Sequence, residues 1–282
     1  MSKNEEEPCL CCGYKTNKKI LMFKAADIFI CESSCVFSKP KINTNSMYTP
    51  DYFKNFYEND NVEQSLVSKN LATLLKKYIQ TGSILDYGCG VGTFLSDAQK
   101  NGFTENVGID VSEYSISKAK KKTPECKFYT NDTLIGSKKF DCISFIDSLA
   151  HVHDINSTFS KVLNNNFNKE GIVLIRTPNI NRYYIFYIRC LNYFLPRKYI
   201  DSLFFIPTRL FLFNSKSIVL FLKKHGLDIK EYHFESEHNK VSTKEIKKMH
   251  LKGFIKYFFW ILIPSLINPK NSITIISKLK KL

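Results

Sequence analysis

The residues best placed to do chemistry begin with Asp86-Tyr87-Gly88-Cys89-Gly90-Val91-Gly92, a carboxylate two positions ahead of three alternating glycines. Glycines here let a ligand approach the backbone and permit the positive φ of a tight strand-to-helix turn. A dinucleotide loop reads G-x-G-x-x-G, whereas these glycines alternate strictly, and Asp86 would repel a pyrophosphate. The loop therefore suits a nucleoside cofactor that has no phosphate and carries a cationic group. Further along, Asn106-Val107-Gly108-Ile109-Asp110 supplies a second apolar strand ending in an acid. A carboxylate at that point can accept hydrogen bonds from both hydroxyls of a ribose. Val111 would then lie against the base, with the side chains of Asn131 and Asp132 near its amino group.

A second chemical cluster lies near the amino terminus, where Cys9, Cys11, Cys12, Cys31 and Cys35 gather five of the nine cysteines. Cys9 to Cys12 has the two-residue gap of a zinc knuckle, and Cys31 to Cys35 has a three-residue gap inside the tolerated range for a four-thiolate site. The reading is a structural zinc held by Cys9, Cys12, Cys31 and Cys35, with Cys11 spare and residues 20–30 as the hairpin between the pairs. Reduced or redox-active thiols are the alternative. The opening Met1-Ser2-Lys3-Asn4-Glu5-Glu6-Glu7 is acidic and polar, unlike a secretory signal peptide, so a cytoplasmic, reducing setting is expected and disulfides are not.

The elements that must position the first set alternate regularly. Ile84-Leu85-Asp86-Tyr87 reads as a strand, followed by a helix, the strand ending at Asp110, a helix from Glu113 to Lys122 and a short strand at Cys126-Lys127-Phe128-Tyr129. An amphipathic helix over 61–80 precedes them, its stripe formed by Val62, Leu66, Leu71, Leu74, Leu75 and Tyr78. Together with Phe140-Asp141-Cys142-Ile143-Ser144-Phe145-Ile146-Asp147 and Gly171-Ile172-Val173-Leu174-Ile175-Arg176-Thr177-Pro178-Asn179, these motifs resemble the class I S-adenosylmethionine-dependent methyltransferases. An NAD-dependent enzyme is the weaker alternative. The resemblance implies an α/β Rossmann-like domain with a seven-stranded, mostly parallel sheet. It implies S-adenosylmethionine as cofactor, bound by Asp86, Gly88, Gly90, Gly92, Asp110, Val111, Asp132 and Asp147.

The cysteine segment resembles the small zinc ribbon ahead of the catalytic domain in bacterial methyltransferases that act on sugars, lipids and other small molecules. Tyr48-Thr49-Pro50-Asp51-Tyr52-Phe53 resembles their tyrosine-rich linker. The expected organisation is a ribbon over 1–46, a linker and helix over 47–80, and a catalytic domain over 81–282. Within the last, residues 180–213 form a lid insert. This insert mixes aromatic and cationic residues, among them Arg182, Tyr183, Tyr184, Phe186, Tyr187, Arg189, Tyr193, Phe194, Arg197 and Lys198. Its counterpart in the ubiquinone-biosynthesis O-methyltransferases, which the catalytic core resembles, contacts a membrane. A lid of this composition suits an anionic bilayer, and equally a cover whose aromatics are buried in protein.

Length and composition agree with a catalytic domain plus a small ribbon: 282 residues, 44% hydrophobic and 24% charged. The formal net charge of +15 invites a nucleic-acid partner. Its lysines, however, lie in short runs such as 118–122 and near the carboxyl end, without a base-stacking motif, so nucleic acid is not favoured. The apolar run 254–267 is interrupted by Lys256 and Pro264 and falls short of the roughly 20 residues needed to span a bilayer. It reads as a buried or interfacial helix ahead of a final antiparallel strand at 272–277.

Methyl transfer from a sulfonium needs alignment and, for a hydroxyl acceptor, removal of a proton. His151, following Asp147-Ser148-Leu149-Ala150, matches the histidine of the family's Glu-His pair and is the candidate base. His153 is the alternative, and either could cap the helix beginning near Asp154. Ala150 stands where relatives carry glutamate, which argues against a catalytic metal and leaves open a silent cofactor-binding protein. The expected acceptor is a small molecule, with O-methylation of a glycan or lipid-linked intermediate favoured over C- or N-methylation and over RNA or protein.

Overall fold

The computed structural model describes residues 9, 11–13, 17–22, 26–32, 35–41, 62–194, 210–235, 263 and 271–280. In chain order the elements are β1 (Asn17–Met22), β2 (Ala26–Cys31), β3 (Val36–Pro40), α1 (Val62–Leu75), β4 (Ile84–Tyr87), α2 (Thr93–Lys100) and β5 (Val107–Ile109). Next come α3 (Glu113–Lys122), β6 (Lys127–Tyr129), β7 (Phe140–Ile146), α4 (Ile155–Asn166), β8 (Phe167–Pro178) and α5 (Arg182–Phe194). The last are β9 (Phe211–Leu212), α6 (Ser215–Lys224), β10 (Leu227–Glu235) and β11 (Ser272–Leu279). The described residues fall into two compact units, one drawn from 1–42, 178–221 and 233–274, the other from 43–177, 222–232 and 275–282.

The first unit is built on a four-stranded sheet of order β1-β2-β3-β9. β2 pairs antiparallel with both β1 and β3, and the β1–β2 hairpin is the one between the cysteine pairs. β9 adds the fourth strand, with Val36 opposite Leu212 and Phe37 opposite Phe211. Helix α5 presents Ile185, Ile188 and Leu191 at i, i+3 and i+6, one apolar stripe of a helix, and these join Ile28, Val36, Ile180 and Leu212 in a single buried cluster. Part of the expected lid, residues 182–194 and 210–213, thus shares a core with the cysteine-bearing strands. Residues 195–209, the linker 48–53 and all of 254–267 except Ile263 lie outside the described residues.

The second unit carries the expected α/β architecture. Its seven strands run in the order β10-β11-β8-β7-β4-β5-β6, and the pairs β4–β5, β5–β6, β4–β7 and β7–β8 are parallel. A parallel sheet is buried on both faces, so its strands need unbroken apolar runs rather than alternation. Ile172, Val173, Leu174 and Ile175 of β8 meet that requirement, all fully buried. The last strand, β11, slots between β8 and β10. The core beside the sheet gathers Leu71 and Leu75 of α1, Phe94, Leu95 and Ala98 of α2, Ile116 and Ala119 of α3, and Phe103. Helix α1 is shorter than the expected 61–80, ending at Leu75 where the Lys77 and Tyr78 amides bond back three residues instead of four. Leu71 and Leu75 are buried, Val67 and Leu74 pack against the same core, and Leu66 is 54% exposed.

Candidate active site

From β4 the sheet is extended in opposite directions by β5 and β7, and such a switch point opens a crevice at the carboxyl ends of the strands. The glycine loop sits there. Gly88, Gly90 and Gly92 have φ of 82°, 53° and 74°, a conformation that side-chain-bearing residues rarely adopt. Packing imposes a second requirement. A Cβ on Gly88 would lie 2.3 Å from Cβ of Ser148, and one on Gly92 would lie 2.9 Å from Cζ of Phe128. At these two positions glycine lets protein elements close on one another, in addition to freeing backbone for a ligand. The amides of Gly88 and Cys89 both donate to the Ile109 carbonyl, at 2.7 and 2.9 Å, tying the loop to the end of β5.

Asp110 sits one residue past β5, only 9% exposed. Its Oδ2 accepts the Gly90 amide at 2.9 Å and its Oδ1 accepts the Ser112 amide at 2.9 Å. Ser112 also caps α3, its hydroxyl accepting from the Ser115 amide at 3.2 Å. The carboxylate is therefore fixed between loop and helix, and each oxygen keeps a lone pair for a ligand hydroxyl. Burial raises the Asp110 pKa against the opposing hydrogen bonds from Ser112 and Gly90. Val111, next along, is 75% exposed, open to a planar ligand.

Asp86 occupies the interior beneath the loop, 2% exposed, with Oδ1 accepting from the Ser144 hydroxyl at 2.7 Å. Burial pushes its pKa up to about 7, and the nearby Asp110 charge adds to the rise. Asp132 pairs through both oxygens with Lys161 Nζ, at 3.0 and 2.9 Å. The phenol of Tyr87 is pushed up to about 12, first by burial and then by the Asp132 charge beside it. Asn131 caps the one-turn helix 132–135, its Oδ1 accepting from the Thr133 amide at 3.2 Å.

Past β7 the chain turns through Asp147, at φ 53°, whose carboxylate is paired with Arg176 of β8 and whose amide donates to the Arg176 carbonyl at 2.8 Å. Arg176 is 4% exposed. His151 closes a one-turn helix, residues 149–151, with its amide bonded to the Ser148 carbonyl at 2.9 Å, and its side chain is half-buried. His153 is exposed. Neither histidine is the cap of α4, because the Asp154 carboxylate accepts the Ser157 amide at 3.0 Å in that role. The sequence reading missed Ser144, Ser112, Lys161 and Arg176, the groups that hold the predicted acids in place. Arg176 carried a usable signal, a cation directly after the apolar run Ile172–Ile175 of β8.

The thiols assemble in the other unit. The Sγ atoms of Cys9, Cys12, Cys31 and Cys35 all lie within 4.8 Å of one another, with Cys12 and Cys31 3.6 Å apart. Tetrahedral thiolate ligation at about 2.3 Å places sulfurs roughly 3.8 Å apart, so the cluster has the right size. Cys11, expected to be spare, is buried and hydrogen-bonded to Cys9 and Cys35. Hydrogen bonds from Cys11 and then Cys35 hold the Cys9 thiol far below its ordinary range, while Cys31 is pushed up to about 12, first by burial. Cys35 is pushed up as well, first by its hydrogen bond with Cys11. A bound cation is what would allow Cys31 and Cys35 to ionise beside Cys9.

The family model for a methyltransferase domain matches residues 60–232. The chain belongs to the methyltransferase domain family. Among solved structures, one chain of the complex between the Haloferax volcanii Trm112 methyltransferase activator and its candidate methyltransferase aligns with this methyltransferase at 10% identity. That alignment covers 83% of this chain and 98% of the other, with a TM-score of 0.61. Magnesium protoporphyrin IX methyltransferase of Synechocystis PCC 6803, solved with bound SAH, aligns at 15% identity over 84% and 96%, with a TM-score of 0.52. A candidate methyltransferase of Bacillus halodurans C-125 aligns at 14% identity over 73% and 97%, with a TM-score of 0.51. Curated proteins yield no match. These likenesses show the fold, and with the family match they make this an S-adenosylmethionine-dependent methyltransferase of a general kind. Among the described residues, no helix is long and apolar enough to cross a membrane.

Proposed function

We propose that this methyltransferase O-methylates a small-molecule acceptor, a glycan or lipid-linked intermediate, at an anionic membrane surface. In this reading Asp110 takes the cofactor ribose, Val111 lies against its adenine with Asp132 nearby, and the Gly88–Gly92 backbone forms the wall of the site. Asp86 supplies negative charge toward the cationic end, and Asp147 holds the turn after β7. When bound, S-adenosylmethionine supplies an electrophilic methyl group on a sulfonium. The part left to this chain is to orient the acceptor oxygen and remove its proton, and His151 at the end of β7 is the group suited to that.

The observation that carries the acceptor reading is the outward side of α5. While Ile185, Ile188 and Leu191 face the sheet of their unit, Phe186 is 66% exposed and Tyr193 91% exposed, with Arg189 exposed between them. Large aromatics and a cation on one helix face suit the headgroup zone of an anionic bilayer. The cysteine cluster is read as a structural zinc site of Cys9, Cys12, Cys31 and Cys35. The test is methyl transfer from labelled S-adenosylmethionine to lipid and glycolipid extracts, together with co-sedimentation on phosphatidylglycerol vesicles. Product in the lipid fraction and salt-sensitive sedimentation are expected. Label confined to protein or RNA, or no vesicle binding at low salt, would refute the acceptor class.

A further inference from the structure

We propose that the thiol cluster controls the acceptor side of this enzyme: a metal held by Cys9, Cys12, Cys31 and Cys35 orders residues 180–194 and 210–213, and cofactor binding is independent of it. The proposal rests on the reading of that insert as the acceptor segment and of the cluster as a zinc site.

The argument starts from covalent adjacency. Cys31 ends β2, and Cys35 immediately precedes Val36, the first residue of β3. The Cys31 amide donates to the Cys35 carbonyl at 3.0 Å, so these two thiols sit at the closed end of the β2–β3 hairpin. Val36 is also the point at which the insert attaches. It pairs with Leu212 of β9, and its side chain belongs to the cluster that buries Ile185, Ile188 and Leu191 of α5. Both ends of the insert are pinned near each other, since the Ile180 amide donates to the Phe213 carbonyl at 2.8 Å and the Ser215 amide to Asn179 Oδ1 at 3.2 Å. Between those pins, the described part of the insert packs on the ribbon sheet.

Three short strands cannot bury enough apolar surface to hold themselves, and small modules of this size depend on a metal, disulfides or added packing. The described cysteines are all free thiols. The α5 and β9 segments supply packing, and a cation at the four sulfurs would fix the hairpin end on which Val36 stands. Freed of metal, the hairpin end at Cys31 and Cys35 loses its link to Cys9 and Cys12, and the platform under α5 loosens. The glycine loop and Asp110 belong to the other unit and keep their own hydrogen bonds.

The experiment is amide hydrogen exchange on the full chain, loaded with zinc and then stripped by a chelator under reducing conditions, with zinc content measured in parallel. Exchange in peptides covering 183–194 and 211–213 should rise by about tenfold or more on zinc release, while the peptide covering 84–92 stays unchanged. The Kd for S-adenosylhomocysteine should hold within about twofold. Unchanged protection at 183–194 after zinc release overturns the proposal, as does reduced protein that takes up no zinc. Val36→Gly leaves every thiol in place and should loosen 183–194 with zinc retained, and equal protection in that variant overturns the platform. Methyl transfer to lipid extracts is read separately on zinc-loaded protein, so its absence counts against the acceptor class and not against the coupling.

Discussion

Asp110 and Gly90 meet across the carboxyl ends of adjacent parallel strands, the Gly90 amide donating to Oδ2 of Asp110 at 2.9 Å while Oδ1 is held by Ser112. The same carboxylate that would grip a ribose therefore also closes the glycine loop.

Removing it should act twice. Asp110→Ala loses two charge-assisted contacts to the cofactor, worth about 2–3 kcal/mol, and frees the loop. We expect S-adenosylmethionine and its demethylated product to weaken together by calorimetry. Asp110→Asn should fall in between, because an amide can present an oxygen to only one of the two backbone donors. Wild-type protein that binds neither ligand, or NAD more tightly, would overturn the cofactor assignment.

Asp86 sets a pH dependence whose sign is fixed by its folded pKa of about 7, raised from 3.8 mainly by burial. Between those values the folded chain binds more protons than the unfolded chain. This group's contribution to stability is therefore complete below 3.8, and it is lost as pH rises through about 7. Urea midpoints of the ligand-free protein should show that fall, and Asp86→Asn should lack it. Binding of a cofactor with an ammonium group should tighten over the same window in wild type and stay flat in the variant. A wild-type binding profile as flat as the variant's would remove Asp86 from the cofactor site.

Much of this was legible in the sequence because the chemistry lies on short-range spacing. Asp86, the alternating glycines and Asp110 are set by one strand-turn-helix-strand unit, so their pattern announces where they end up. The groups that hold them come from farther away: Ser144 stands 58 residues from Asp86 and Arg176 29 from Asp147. Nothing local fixes such pairings, which depend on strand order. The same holds for β9, two residues whose partners Val36 and Phe37 come far earlier in the chain. Leu66 shows the opposite error, an apolar residue at helical spacing that the fold leaves exposed.

Asp147 and Arg176 differ in burial, and this decides which loss is worse. The Arg176 side chain is 5% exposed and that of Asp147 41%. Asp147→Asn keeps shape and tolerates the left-handed backbone, but removes the carboxylate charge paired with a buried guanidinium, at roughly 3 kcal/mol. Arg176→Gln leaves a carboxylate that water can reach, so about 1 kcal/mol is expected. Urea unfolding of both variants checks the order, and the reverse order contradicts the burial argument.

His225 gives a second pH signature, opposite in sign to that of Asp86. It lies edge-on to Phe159, with Nδ1 3.2 Å from the Ser160 hydroxyl and Nε2 3.2 Å from Asn156 Oδ1. Burial, and then the Lys224 charge, push its pKa down to about 4 from 6.5. The unfolded chain binds more protons in that window, so this contribution is present above 6.5 and is lost as pH falls through about 4. Thermal unfolding at pH 7 and pH 4.5 should show a smaller acid penalty in His225→Gln than in wild type. Equal penalties would mean that the imidazole titrates normally.

The five thiols make a prediction that separates ligand from neighbour. Cys12 is one of four residues whose sulfurs lie mutually within 4.8 Å, whereas Cys11 is buried beside Cys9 and Cys35 outside that set. Spacing alone could assign either cysteine to the amino-terminal pair, but the two-residue gap between Cys9 and Cys12 gives the tight turn that aims two thiolates at one ion. Elemental analysis of the full chain should find about one zinc per molecule. Cys12→Ser should lose it and Cys11→Ser should retain it, with weaker retention in competition against a chelator, since Cys11 is hydrogen-bonded to two ligand sulfurs and such neighbours tune affinity. Loss of zinc in Cys11→Ser with full retention in Cys12→Ser would exchange the two roles and move the knuckle by one residue.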